Sequence, residues 1–266
     1  MTVLPTVLTR ARTATLLGVG GAYAALQLLG RRAGSTREER AAALRGDDLV
    51  NRPQMRTDHA VTIDAPPDYV WPWLTQMGWH LAGWYTPRCV DRLLFPDNWT
   101  ALDHLDPHLV RDLRVGDTIP DGPPGTAQYV VAQAEPPHRL VLHSTTHIPP
   151  GWDTRYGVEF VWTWSLNPTP LPGERTRVHL RVRGRGRPWW FIGLYVAALI
   201  PADYVMATGM LRGLKQRVEA HPQPFASGRT PWSGASPSTA RVIATQGHPS
   251  PTRSAAGPVA RPAGTT

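Results

Sequence analysis

Four consecutive alternating segments followed by one long apolar helix are the feature that most constrains how this 266-residue chain can fold. The segments are AQYVVAQAE (127–135), RLVLHSTT (139–146), VEFVWTWSL (158–166) and RTRVHLRVRGR (175–185). These segments predict β-strands, and the short connections between them predict antiparallel pairing. The chain is therefore expected to build a largely antiparallel sheet.

The segment after the last strand has the opposite periodicity. Apolar residues recur there at alternating spacings of four and three, which predicts one stripe of a long helix. The stripe is Ile200, Tyr204, Ala207, Leu211, Leu214 and Val218. A half-buried strand, MRTDHAVTIDAP (55–66), and a helix, DYVWPWLTQMG (68–78), precede the sheet. This order predicts an α+β fold in which a curved antiparallel sheet holds the long C-terminal helix across one face.

The helix at 68–78 opens the aromatic stretch WPWLTQMGWHLAGWYTP (71–87). Trp71 and Trp73 stand two residues apart on it, so at most one of them is expected to point at the core. Trp84 and Tyr85 follow Gly83 and are expected at the rim of a pocket.

The basic charge of the chain belongs to its ends. The first 46 residues hold seven Arg and two Glu, and the tail from His221 holds four Arg and no acid, so of the formal charge of +8 only about −1 is left for residues 47–220. Nucleic-acid-binding domains carry their basic footprint within the fold, so no specific nucleic-acid partner is expected. The single cysteine, Cys89, excludes an intrachain disulfide framework and a Cys-based zinc site.

Three segments are expected along the chain: an apolar and charged N-terminal part (1–46), one domain (47–220) and a disordered basic tail (221–266). Within the first, the uncharged run at 13–29 is flanked by arginines on both sides. It is interpreted as a membrane anchor, a signal peptide, or a helix packed on the domain. The anchor interpretation places the protein at a membrane with its domain in the cytoplasm, and the alternative is a soluble cytoplasmic protein.

Several further motifs occur in a fixed order along the chain: VWPWLTQMG followed by AGWYT, RDLRVGD (111–117), EPP (135–137) before LVLH, TRVHLRVRGR, and the ending PADYVMATGMLRGLKQRVE. Together they resemble the SRPBCC superfamily, also called START-like or helix-grip, and in particular its bacterial polyketide cyclase/dehydrase-like members. The resemblance covers about 50–220. It implies a helix-grip fold with a cavity for an apolar ligand between the sheet and the final helix, and it carries over no catalytic residues.

Aromatic residues on one face of the third strand segment are the best candidates for the wall of such a cavity, because Phe160, Trp162 and Trp164 share a face by the two-residue period. Asp203 is the one acid in an apolar helical stretch and would need a partner such as Arg181 or Arg183 if buried. The complete set of candidate ligand-binding residues is Trp84, Tyr85, His143, Phe160, Trp162, Trp164, Asp203, Tyr204 and Met210.

The last strand segment carries a basic face of Arg177, His179, Arg181 and Arg183 that leads to Trp189 and Trp190. It is interpreted as a solvated strand edge guarded by charge, or as an Arg–Trp patch at a membrane interface. Membrane contact is expected through 13–29 together with Trp189 and Trp190.

The sequence contains none of the GxSxG, Walker or Rossmann motifs. His143 and His147, and the DHLDPH segment (103–108), offer metal-ligand types without supporting spacing, so no metal and no cofactor are expected. The favoured function is binding of a hydrophobic small molecule or lipid in the helix-grip cavity, near a membrane. The alternative is a cyclase/dehydrase-like or hydrolase-type enzyme acting on an apolar substrate in the same cavity, which requires a His or Asp such as His59, His143 or Asp203 inside it.

Overall fold

The computed structural model describes residues 4–94, 96–149, 151–153, 155–169 and 175–221, with the side chains of 4–14, 94 and 195 excepted. The tail predicted to be disordered lies outside the described residues from position 222 onward. The helices are α1 (Leu4–Arg32), α2 (Arg37–Ala41), α3 (Pro67–Thr75), α4 (Arg88–Leu94) and α5 (Trp189–Ala220). The strands are β1 (Met55–Ile63), β2 (Thr118–Pro120), β3 (Gln128–Glu135), β4 (Arg139–Ser144), β5 (Gly157–Pro168) and β6 (Thr176–Arg187).

The described strands form one antiparallel sheet in the order β1-β6-β5-β4-β3-β2. The first long strand, β1, is paired along its whole length with the last, β6, from Met55 opposite Gly184 to Ile63 opposite Thr176. This pairing brings the N-terminal part of the domain beside the strand that leads into α5. The predicted α+β helix-grip architecture is confirmed.

One face of the sheet, here called the concave face, packs against α3 and α5. Residues that face each other across the sheet on this side are buried, as Leu140 opposite Trp164 and Trp164 opposite Leu180 illustrate. The second half of α5 completes the core with Leu211, Leu214 and Val218. Burial of this apolar surface is the main driving force for folding.

Helix α3 differs from the sequence-based expectation for its two tryptophans. Both are buried, Trp71 at 1% and Trp73 at 0% exposure. The residues after α3 fold back over its outer side, where Arg111 donates hydrogen bonds to the carbonyls of Thr75 and Met77. A helix covered on both sides buries opposite faces at once, so the expectation that only one tryptophan points inward is wrong.

The second face of the sheet, here called the outer face, is covered by α2 and the residues that follow it. Arg181 on β6 is fully buried there and donates hydrogen bonds to Asp58 Oδ1 (2.7 Å), Asp47 Oδ2 (2.8 Å) and the carbonyl of Glu39 (2.8 Å). Arg177 binds the Glu39 carboxylate at 2.7 Å. Since β6 lies between β1 and β5, the interpretation of its basic residues as a solvated edge is wrong. The arginines of the expected membrane patch pair with Glu39, Asp47 and Asp58 instead, while membrane contact through Trp189 and Trp190 stays a prediction.

Candidate functional site

The concave face holds an aromatic cluster composed of Trp84, Tyr129, Trp162 and Trp164. The ring centroids of Tyr129 and Trp162 are 4.9 Å apart, those of Trp84 and Trp162 5.6 Å, and those of Trp162 and Trp164 6.5 Å. Trp84 and Trp164 are buried and Trp162 is half-buried. The structure thus brings three predicted residues together and adds Tyr129 on β3, two strands away from β5. The alternation of Tyr129 and Val131 in β3 could have revealed its position.

Tyr85 and Met210 lie deeper in the core than a pocket rim. Tyr85 is 1% exposed, and its hydroxyl donates to the carbonyl of Trp73 (2.9 Å) and accepts from Gln76 Nε2 (2.8 Å). The guanidinium of Arg217 lies 4.9 Å from the centre of its ring. Burial raises the pKa of the Tyr85 hydroxyl. The Tyr85 hydroxyl therefore already donates and accepts a hydrogen bond within the protein.

Asp203 finds a different partner from the one expected. Its Oδ2 lies 3.0 Å from Nε2 of His59, which is fully buried on the concave face of β1. Arg181 and Arg183, the expected partners, point to the outer face, where they bind Asp47. The neighbouring Tyr204 is half-buried on α5.

Polar atoms without a hydrogen-bond partner among the described residues lie in the same interior. They include His59 Nδ1, Thr57 Oγ1, Trp84 Nε1 and Trp164 Nε1. His59 and Thr57 stand two residues apart on β1 and share its concave face. Since buried polar groups in proteins are normally paired, such atoms indicate where a water or a polar group of a ligand would bind.

His143 lies on the outer face and is not part of the concave wall. It pairs with Val161 across the sheet, and its Nε2 is 2.9 Å from Glu159 Oε1. The expectation that His143 lines the ligand-binding cavity is therefore wrong. Both faces of β4 are covered, so alternation of polar and apolar residues could not reveal which side His143 takes.

His147 forms a hydrogen-bonded chain that the sequence did not predict. Its Nδ1 is 2.7 Å from Ser144 Oγ and its Nε2 is 2.7 Å from Asp121 Oδ2. The order of groups matches a Ser–His–Asp triad. However, Ser144 is 2% exposed and also accepts a hydrogen bond from the Thr146 amide. With both ring nitrogens engaged and the serine buried, the chain fastens the end of β4 to the loop after β2.

No group of three or more His, Cys, Asp or Glu that could hold a metal ion occurs in the described part of the chain.

Two adjoining surface clefts, of about 710 and 580 Å³, lie at the end of β6. The first is lined by Asn51, Arg52, Gln54, Arg185 and Gly186, and the second by Thr145, Gly157, Val158, Glu159, Arg185, Gly186 and Arg187. None of the nine residues proposed from the sequence lines either cleft.

Helix α1 and the first half of α5 expose a large apolar surface. The helices are joined by hydrogen bonds to the Ala197 carbonyl from Tyr23 Oη (2.8 Å) and Gln27 Nε2 (3.0 Å). Every residue from 15 to 25 is nevertheless exposed. The apolar helix surface, as it is called below, comprises Leu16, Leu17, Val19, Leu28, Leu29, Trp189, Trp190 and Leu194, which are between 45% and 78% exposed.

Among the described residues, one helix is long and apolar enough to cross a membrane, by length and composition only, and it is α5. Its second half is part of the core. The end of α1 packs on the domain, where the Ala33 carbonyl accepts a hydrogen bond from the Ala60 amide of β1 (3.1 Å). This contact fixes the residue after α1 and lies outside the run at 13–29, whose three interpretations stay predictions.

Strand order and final helix define a helix-grip domain. No family model and no curated protein matches the chain. Among solved structures, the chain is similar to DynU16, a protein of the dynemicin biosynthetic locus, at 18% identity over 63% of this chain and about half (48%) of that one, with a TM-score of 0.33.

A protein of Chromobacterium violaceum is similar at 16% identity, covering 62% of this chain and 96% of that chain with a TM-score of 0.37. A norcoclaurine synthase point mutant of Thalictrum flavum, solved with a transition-state analogue, is similar at 14% identity, covering 61% and 94% with a TM-score of 0.35. At these scores the likenesses carry no argument about activity, and the fold assignment rests on the architecture described above.

Proposed function

We propose that this protein docks on a membrane through the apolar helix surface and binds a lipid or other hydrophobic small molecule on the concave side of its sheet. The observation that carries the proposal is the exposure of α1 over residues 15–25. A helix that is apolar on all sides requires an apolar environment, and contiguous exposed apolar surface of this kind marks interaction sites.

The composition of the surface favours a bilayer as its partner. Trp189 and Trp190 begin α5 and are exposed at 78% and 47%. Tryptophan prefers the boundary between hydrocarbon and water, because its ring is apolar and its N–H seeks a hydrogen bond. The uncharged run at 13–29 supplies the aliphatic part that would enter the acyl region.

The ligand-binding part of the proposal is supported by the aromatic cluster and the unpartnered polar atoms beside it. Trp162 is half-buried, and the N–H groups of Trp84 and Trp164 have no acceptor among the described residues. A molecule with a hydrocarbon body and one or two oxygen acceptors matches these surroundings.

Membrane docking predicts a large effect of two substitutions on the apolar helix surface. Replacing Trp189 and Leu194 together by serine is expected to weaken binding of the full chain to phosphatidylcholine vesicles on the order of a hundredfold, measured by co-sedimentation. The matched control replaces Leu93 and Trp99, which are 80% and 60% exposed on and after α4, by serine. Equal binding by both variants would contradict docking through α1 and α5.

An acid–base enzyme in the same interior is the second candidate, favoured by the His59–Asp203 pair. When Nε2 of His59 donates to Asp203 Oδ2, Nδ1 is left as an unpartnered base on the concave face. A histidine oriented by a carboxylate in this way is the usual arrangement of a general base.

Native mass spectrometry separates the two functions. The full chain incubated with lipid extract is expected to retain a bound molecule of unchanged mass. In the enzymatic alternative the mass of the bound molecule changes with time, and His59→Asn stops the change while the molecule is still retained. Absence of any bound molecule in wild type and variant alike would contradict ligand binding.

A further inference from the structure

The two adjoining clefts at the end of β6 form a basic groove beside the apolar helix surface. Three arginines, Arg52, Arg185 and Arg187, line the groove against one carboxylate, that of Glu159. The rest of its wall is uncharged. The groove therefore carries a formal charge of about +2 in a domain whose charge is otherwise nearly balanced.

Most donors of these arginines are not used by the fold. Arg52 and Arg187 are exposed and form no ion pair or side-chain hydrogen bond within the described part of the chain. Arg185 binds Glu159 through Nε at 2.6 Å, which leaves its terminal nitrogens for another partner. The Glu159 carboxylate is itself occupied from both sides, since its other oxygen is 2.9 Å from His143.

The arginines earlier in the same strand differ from those of the groove in their partners. Arg177 and Arg181 lie on the same face of β6 as Arg185, yet their charges are neutralised by Glu39, Asp47 and Asp58. Arg185 has one such partner, Glu159 on the neighbouring strand β5, and Arg187 has none within the described part of the chain. Structural ion pairing thus accounts for the first arginines of the strand and for one nitrogen of Arg185, but not for Arg187.

The position of the groove specifies its partner. Arg187 is separated from Trp189 by a single residue, Pro188, so the groove adjoins the start of the apolar helix surface. When Trp189 and Trp190 lie at the boundary of a bilayer, the groove faces the layer of headgroups. Guanidinium groups match the paired oxygens of a phosphate, to which they donate bidentate hydrogen bonds.

We propose that the groove lined by Arg52, Arg185 and Arg187 binds the phosphate of an anionic lipid headgroup. The inference rests on the proposed membrane docking and adds selectivity to it. Each arginine near an anionic surface contributes favourably to binding, so the groove makes the protein prefer bilayers that carry net negative charge.

The test compares vesicles of phosphatidylcholine with vesicles that also contain phosphatidylglycerol. We expect the full chain to prefer the anionic vesicles, and Arg52→Gln with Arg187→Gln to reduce that preference on the order of tenfold or more. Arg92→Gln with Arg212→Gln removes two exposed arginines elsewhere and is expected to leave the preference nearly unchanged. Equal loss in both double variants, or no loss in either, overturns the proposal.

Titration of the full chain with inorganic phosphate, followed by tryptophan fluorescence, separates a lipid headgroup from a free phosphate. Binding that is lost in the Arg52/Arg187 variant, together with an unchanged vesicle preference, shows a soluble phosphate ligand and overturns the lipid assignment. If no vesicle of either composition is bound, membrane docking itself fails. The phosphate titration then tests whether the groove binds anions. Phosphate binding by the wild type that is lost in the Arg52/Arg187 variant supports an anion site, and no phosphate binding by either protein overturns it.

Discussion

Asp58→Ala is expected to lower the free energy of unfolding by about 3 kcal/mol or more, because it removes a carboxylate from a buried ionic network. Asp58 Oδ1 accepts hydrogen bonds from Arg181 Nε (2.7 Å) and His179 Nε2 (3.0 Å), and Oδ2 accepts one from Arg56 (2.9 Å). Arg181 is fully buried, so the loss of its closest carboxylate leaves a charge that solvent cannot compensate and that Asp47, its other carboxylate partner, compensates only in part.

The same carboxylate makes stability depend on pH in the acid range. Burial alone would raise the pKa of Asp58, but hydrogen bonds from His179 and Arg181 outweigh it and lower the pKa from 3.8 to about 2. A lowered pKa means that the folded state binds the proton less readily than the unfolded state. The ionised Asp58 carboxylate contributes about 2 kcal/mol to the free energy of unfolding. This contribution is fully present above about pH 4 and is lost as the pH falls through about 2.

Urea unfolding of wild type and Asp58→Ala at neutral pH and at about pH 2 tests both the expected loss of stability and its dependence on pH. The difference between the two proteins is expected to shrink as the pH falls, since the wild type loses what the variant already lacks. Asp112→Ala is the control, because Asp112 pairs with Arg114 on the surface, where both side chains are more than half exposed. It is expected to change stability by less than about 1 kcal/mol. A small effect of Asp58→Ala at neutral pH would contradict the role given to the network.

The order of elements and the aromatic wall could be predicted because one physical signal dominates each of them. Period two places Phe160, Trp162 and Trp164 on one face of β5, and the structure has them there. The stripe from Ile200 to Val218 likewise gives the buried side of α5. In both cases a single apolar face packs on a single core.

Sequence reasoning failed where an element is covered on both sides or where the partner comes from far along the chain. The outer face of β6 is polar in sequence but buried in the structure, because its ionic partners Glu39, Asp47 and Asp58 come from more than 100 residues earlier. The partner of Asp203 was missed for the same reason, since His59 lies on β1. Alternation reports which residues share a face and contains no information on what covers it.

The close contact between α5 and the backbone of Tyr85 depends on one glycine, Gly213. We expect its replacement to lower the stability of the fold by a large amount. A Cβ added at Gly213 would lie 1.9 Å from the carbonyl oxygen of Tyr85. The carbonyl oxygen belongs to the backbone and a Cβ is fixed to it, so a change of side-chain rotamer cannot relieve the overlap. Tyr85 cannot easily retreat, because its hydroxyl is bound by Trp73 and Gln76 and its backbone has a positive φ of 58°.

Gly213→Ala is therefore expected to destabilise the fold by about 3 kcal/mol, although alanine is the better helix former. Gly193→Ala, in the same helix, is the matched control: a Cβ there meets nothing within 4 Å. It is expected to raise stability by up to about 1 kcal/mol, since alanine loses less backbone entropy than glycine. Thermal unfolding followed by circular dichroism measures both changes. Effects of the same sign in the two variants would show that α5 does not approach Tyr85 as closely as described, and that this helix is held by its apolar stripe alone.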